Sequence, residues 1–186
     1  VSTVHINTIR AHVAVGASYN SFVLAEGGQM SRDEIQVALL GKAASTKLHG
    51  VYLGSGSQVL DNTTVIRHQA PGTKSEENYR GALNDQSRGV FQGNILVQKG
   101  ADGTDGRMSN KTILLSGEAE INSKPQLEIY ADDVQCAHGS TAGELEEEAL
   151  FYLRSRGIPE GEAKIILVEG FLAEVMEEFG LGELAG

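Results

Sequence analysis

The segment Val4-His5-Ile6-Asn7-Thr8-Ile9-Arg10-Ala11-His12-Val13-Ala14-Val15 decides how the rest of the chain is read. Val4 and Ile6 stand two apart with polar residues between, the period of an extended strand that turns one side inward. Leu127 and Ile129 repeat the pattern far downstream. Between them, short apolar segments recur at 21–24, 35–40, 47–53, 59–68, 79–83, 89–97, 112–116, 126–130 and 134–138. They are separated by turn chemistry: Gly54-Ser55-Gly56, Asp61-Asn62, Asn84-Asp85 and the stretch from Gly100 to Gly106. Turn signals every ten to fifteen residues predict an all-β stack, and nothing before residue 144 has a helical period. A sandwich would show aromatic cross-strand pairs and Asn-Gly hairpins. This chain has 5 Tyr, 5 Phe and no Trp, and its small residues and Asn favour a coil of stacked short strands. No strict sequence period accompanies that coil.

Beyond residue 143 the character changes, dividing the chain into a β core over 1–143 and a helical domain over 144–186. Leu145, Ala149, Leu150 and Leu153 follow helical spacing, with Thr141 and Glu144 at capping-box spacing and Gly157 as a stop. Pro159 suits the first turn of a second helix, whose stripe runs from Ala163 through Ile166, Leu167, Phe171, Leu172, Val175 and Met176 to Phe179. The simplest fate of that stripe is to pack on the last coil of strands; two consecutive helices can also present a groove to another protein.

The 186 residues suffice for one domain with a sizeable core. Formal charge is −10, unevenly spread: residues 1–117 hold 11 Lys/Arg and 9 Asp/Glu, whereas residues 118–186 hold 4 and 16. The acidic balance excludes nucleic acid as a natural partner. No apolar run reaches the roughly 18 residues of a membrane helix. A single cysteine, Cys136, forbids an internal disulfide, and the cytoplasm is the expected location. Because Val1 falls inside an alternating pattern, the chain reads as a piece of a longer protein.

Cys136 and His138 are the candidate site. Two apart in an extended strand, they share a face, and a thiol beside an imidazole suits iron or zinc. Two ligands do not close a site, so further ligands must come from another chain, or the metal must be transient; a buried Cys beside a hydrogen-bonded His is the plainer alternative. Asp132-Asp133 is read as a turn, since adjacent strand residues face opposite ways and cannot flank one bond. The 100–106 loop has too few acidic ligands for calcium. His68 and Arg80 read as polar residues on a strand surface, and His5, His12 and His49 as structural.

At this point a resemblance enters. Lys124-Pro-Gln-Leu-Glu-Ile-Tyr-Ala-Asp-Asp133, Val134-Gln-Cys136-Ala-His138-Gly139 and Leu150-Phe-Tyr-Leu-Arg-Ser-Arg-Gly157 closely resemble the carboxy-terminal core of the SufB/SufD family of iron–sulfur cluster assembly proteins. His68-Gln-Ala-Pro71 and Ser87-Arg-Gly-Val-Phe-Gln-Gly93 are also similar to it, and Gly139, where SufB-like sequences carry Glu, favours the SufD branch. The resemblance implies a mainly β fold: a right-handed parallel β-helix (β-solenoid) followed by a small α-helical domain. It implies a non-catalytic scaffold that pairs with SufB through the β-helix and docks the SufC ATPase on the terminal helices. Leu150, Phe151, Arg154, Arg156, Phe171 and Val175 are the expected docking residues there. His138, with Cys136 beside it, would face the partner where a transient iron–sulfur cluster forms. Without SufB, the exposed β-helix end would pair with a second copy as a homodimer. A polysaccharide-active β-helix enzyme and a purely structural solenoid are the competing readings.

Overall fold

Ten strands and two helices make up the computed structural model, which describes residues 3–181. The strands are β1 (Val4–Val13), β2 (Ser18–Glu26), β3 (Met30–Leu39), β4 (Ser45–Gly54), β5 (Val59–His68), β6 (Lys74–Leu83), β7 (Arg88–Val97), β8 (Asp105–Leu114), β9 (Glu120–Ile129) and β10 (Gln135–Gly143). Helices α1 (Glu147–Ser155) and α2 (Glu160–Phe179) follow. Odd strands form one five-stranded parallel sheet, β1-β3-β5-β7-β9, and even strands a second, β10-β8-β6-β4-β2. The chain therefore alternates between two facing sheets, a β-solenoid of about five turns, as the sequence reading predicts.

Every predicted apolar segment falls on one strand, and the differences lie at the polar ends. Strands β3, β6, β8 and β9 begin several residues earlier than their apolar cores, at Met30, Lys74, Asp105 and Glu120. Their opening residues are polar on both faces, because the interior is itself polar near the strand starts. Ser31, Asp33, Asn62, Thr64, Ser75 and Glu77 are all buried. Asp61-Asn62, expected to turn, lies within β5, where Asn62 pairs in register with Asp33 and Phe91. Hydrogen bonds offset much of this burial: Ser31 Oγ and Asn7 Nδ2 each donate to Asp33 at 3.2 Å, and Thr64 Oγ1 donates to Glu77 at 2.8 Å. Farther along the strands the interior is aliphatic and aromatic, with Ile35, Val37, Leu39, Leu60, Ile66, Leu83, Ile95 and Val97 packed into one core with Tyr52, Tyr79 and Phe91.

A regular repeat is present after all. Met30 pairs with Val59 and Val59 with Arg88, a step of 29 residues each time (59 − 30 and 88 − 59). At one corner Ala70-Pro-Gly-Thr73 stacks on Ala101-Asp-Gly-Thr104, with Gly72 N donating to Asp102 O at 2.8 Å. Gly72 and Gly103 take φ of +65° and +70°, the left-handed turn that glycine adopts without strain. Thr73 and Thr104 each donate back to the alanine carbonyl three residues before. This shared Ala-x-Gly-Thr is the sequence signal for the coil, and one instance sits inside the loop weighed above as a calcium site. Asp133, at φ +52°, occupies the same corner one turn later, which makes Asp132-Asp133 a turn as read.

The helices depart from expectation in two ways. β10 runs on to Gly143, so Thr141 and Glu144 form no capping box; α1 starts after Glu146, which makes no side-chain cap bond. Gly157 and Gly180, at φ +87° and +91°, do stop the two helices. The apolar stripe of α2 packs not on the last coil but on the outer face of β4 and β6, where Leu172 and Val175 meet Val51. The reason is local: Val51 and Leu53 on β4 and Phe22 on β2 give that outer face an apolar patch. No helix among the described residues is long and apolar enough to cross a membrane.

Candidate functional site

Strands β9 and β10 end their respective sheets. Each has a neighbour on one side only, so the other row of backbone donors and acceptors is open to pairing. Cys136 and His138 lie on β10, in register with Gly106 and Met108 of β8. Met108 is a buried core residue, and the shared register puts Cys136 and His138 on the interior-facing side of the sheet. The two do project together, as their spacing predicts.

Their environments differ. Cys136 is half-buried and packs against the core. A Cβ built on Gly106 would lie 3.5 Å from its Sγ, so the glycine leaves room for the sulfur. Burial pushes the Cys136 thiol up; a backbone hydrogen bond from Gly106 pulls it down, and Asp105 raises it further. Its thiolate is therefore scarce at neutral pH, which fits a thiol that needs a metal to deprotonate it rather than a free nucleophile. His138 is exposed, because no further coil among the described residues covers that end of the interior. Nearby, Ser140 Oγ donates to Ser123 Oγ of β9 at 2.7 Å, tying the two end strands across the mouth.

From His138 a groove of about 870 Å³ crosses the even-strand sheet through Arg107, Glu76 and Lys47 to Asn20. Its charges are mutually satisfied: Lys47 lies 3.4 Å from Glu76 and Arg107 3.2 Å from Asp105. No group of three or more His, Cys, Asp or Glu among the described residues could hold a metal ion. Cys136 and His138 supply at most part of a ligand set.

The remaining histidines and Arg80 are placed differently from the sequence reading. His68 is not on a surface: it is fully buried, with Nδ1 2.8 Å from Thr73 Oγ1 and Nε2 2.9 Å from Ser75 Oγ, and burial holds its pKa down to about 4. It is a neutral structural histidine. Arg80 faces outward from β6 but is covered by α2, and donates to Phe171 O at 2.7 Å and to Glu174. Sequence reasoning missed this because an outward strand position reads as solvated; a buried cover can be foreseen only by placing α2.

Of the expected docking residues, Phe151 is 73% exposed on α1, with Leu150 half-buried beside it. Arg154 pairs with Glu160 at 3.4 Å, and Arg156 lies over the Tyr152 ring at 5.1 Å. Phe171 and Val175 belong instead to the internal contact of α2 with the sheet, Val175 being completely buried. Tyr152, Ile165 and Ile166 add exposed apolar area that the sequence reading left out.

Comparison with known proteins bears on what such an end rung serves. The chain is 36% identical over 173 residues to the iron-sulfur cluster assembly protein SufD of Escherichia coli, an alignment covering 93% of this chain and 40% of that protein. It is 31% identical over 182 residues to an iron-sulfur cluster assembly SufBD family protein of Synechocystis, covering 98% of this chain and 40% of the relative. The SufD of Bacillus subtilis is 32% identical over 128 residues, 69% of this chain and 29% of that protein. The chain thus spans about two fifths of the length of the first two relatives. The model of the SufBD core domain of the SUF system for FeS cluster assembly matches residues 1–171, the whole solenoid and most of the helical region, and the chain belongs to that family.

Proposed function

We propose that this chain is the core of a non-catalytic scaffold subunit. It would pair with SufB through the open edges of β9 and β10, and contribute His138 to a cluster-assembly site shared with that partner. The single observation that carries the reading is an exposed imidazole, with a half-buried thiol two residues away, on an unpaired end strand of a chain in this family. An iron–sulfur cluster is held by thiolates, with imidazole as an alternative ligand that raises its potential. One chain giving two donors at most holds a cluster loosely and lets it pass on, so the cluster is cargo. ATP hydrolysis would belong to SufC, docked in the cytoplasm on the exposed helix surface around Leu150, Phe151, Arg154 and Arg156. An unpaired end rung also supports a homodimer when the chain is made alone; light scattering of the isolated chain should give twice the monomer mass.

The test is cluster formation by the full-length protein co-expressed with SufB and SufC. His138→Ala should lower cluster-bound iron and acid-labile sulfide about tenfold, the scale of about 1.4 kcal/mol lost from one ligand, with the complex still assembled. Cys136→Ser should cost less, since its thiol is held protonated. Unchanged cluster yield in His138→Ala overturns the ligand role.

A further inference from the structure

The last turns of α2 make a poorly satisfied seam with the outer face of the even-strand sheet. α2 is 20 residues long, yet only Ala163, Leu172 and Val175 are buried. Four buried side-chain atoms in the seam have no hydrogen-bond partner: His49 Nδ1 and Nε2, Asn78 Oδ1 and Arg80 Nε. His49 is fully buried beneath Phe179, ring centroids 5.4 Å apart, and Phe179 in turn lies 5.3 Å from Phe22. What holds the helix end is polar and peripheral. Arg80 reaches Phe171 O and Glu174, and Asn78 Nδ2 donates to Glu178. Glu177 and Glu178 also stand at the negative end of the helix dipole, with no basic residue in the last turn. An apolar residue in place of His49 would leave fewer unpaired groups, since an unsatisfied buried polar group costs free energy that a same-shaped apolar one does not.

We propose that residues 171–180 form a releasable strap over β4 and β6, with His49 as the group that loosens it on acidification. The groups facing His49 are Lys47 on its own strand, Glu76 on β6 with Oε1 3.5 Å from Nε2, and Glu178 and the Val175 carbonyl on α2. Burial is the largest influence and lowers the pKa of the ring; Glu76, Glu178 and the carbonyl oppose it, and Lys47 adds to it. When the strap lifts, the ring returns to water and to an ordinary pKa near 6.5. Docking is therefore undiminished well above pH 6.5 and weakens as pH falls through it, because the released state then takes up a proton that the docked state refuses. Release uncovers Val51, Leu53 and Phe22, an apolar patch otherwise closed to solvent.

Hydrogen exchange on the intact chain, corrected for intrinsic rates, tests this. Between pH 7.5 and 5.5, amide protection over 172–180 should drop by about tenfold, the limit set by one pH unit below the free imidazole pKa, while β5 amides hold theirs. His49→Leu should raise protection at pH 7.5 and abolish the drop. Glu178→Gln, an exposed change that removes one carboxylate favouring the protonated ring, should enlarge the drop. Equal protection of 172–180 at the two pH values in the unsubstituted chain overturns the proposal, as does an unaltered drop in Glu178→Gln.

Discussion

Gly81→Ala should destabilise this chain by about 3 kcal/mol or more, combining the usual cost of overpacking with that of buried hydrogen bonds left unmade. Gly81 on β6 pairs in register with Tyr52 on β4 on one side and Thr112 on β8 on the other. The Tyr52 ring lies flat across the glycine, and its hydroxyl is hydrogen-bonded to Asn110 at 2.9 Å and Thr112 at 2.6 Å. A Cβ at Gly81 would fall 1.9 Å from Tyr52 Cε2 and 2.2 Å from Cζ. Tyr52 is 1% exposed, so the ring has nowhere to move, and displacing it strands its hydroxyl and two partners in the core. Thermal unfolding should show a midpoint lower by about 10 °C at 2–4 °C per kcal/mol for a chain of this size. The double variant Gly81→Ala with Tyr52→Leu should recover part of the loss, since both report one contact. A midpoint within a degree or two of the unsubstituted chain would show that the ring yields freely.

Glu77→Gln should do the opposite. Glu77 is completely buried among Thr64, Tyr79 and the core, with Oε2 accepting from Thr64 and Oε1 unpartnered. Burial pushes its carboxyl from 4.5 up to about 8, the Thr64 bond pulling slightly the other way. The native state thus keeps a proton that the unfolded chain gives up above pH 4.5. Stability from this group is greatest below that value and falls as pH rises toward about 8, at about 1.4 kcal/mol per pH unit. Gln is neutral throughout and keeps the acceptor for Thr64, so the variant should be more stable by about 3 kcal/mol at pH 7.5 and by little near pH 5. Denaturant titrations of both proteins across this range read the difference directly, with other titrations cancelling. A pH-independent difference would mean that Glu77 is ionised in the fold and paired in some other way.

These two residues also show where sequence reading stopped. Tyr79-Arg80-Gly81 was legible as strand, but the glycine's role depends on a tyrosine 29 residues earlier (81 − 52), brought alongside only by the coil. Glu77 sits among residues that look solvated in sequence, since Lys74-Ser-Glu-Glu-Asn78 carries no apolar side chain; alternation cannot say which polar residue turns inward. For the same reason His68 and Arg80 read as surface residues, and are buried by Ser75 and Thr73 in one case and by α2 in the other.

The order of elements, the parallel stack and the shared face of Cys136 and His138 follow from the sequence alone, because they depend on a period of two and on turn residues a few positions apart. Tertiary structure decided where α2 lies, which polar groups go into the interior, and that His138 stands at an uncovered end rung. Those outcomes rest on contacts between residues 29 to 100 positions apart, such as Tyr52 with Gly81 and Asn78 with Glu178. Local periodicity carries no information about partners at such separations; the coil and the helix crossing create them.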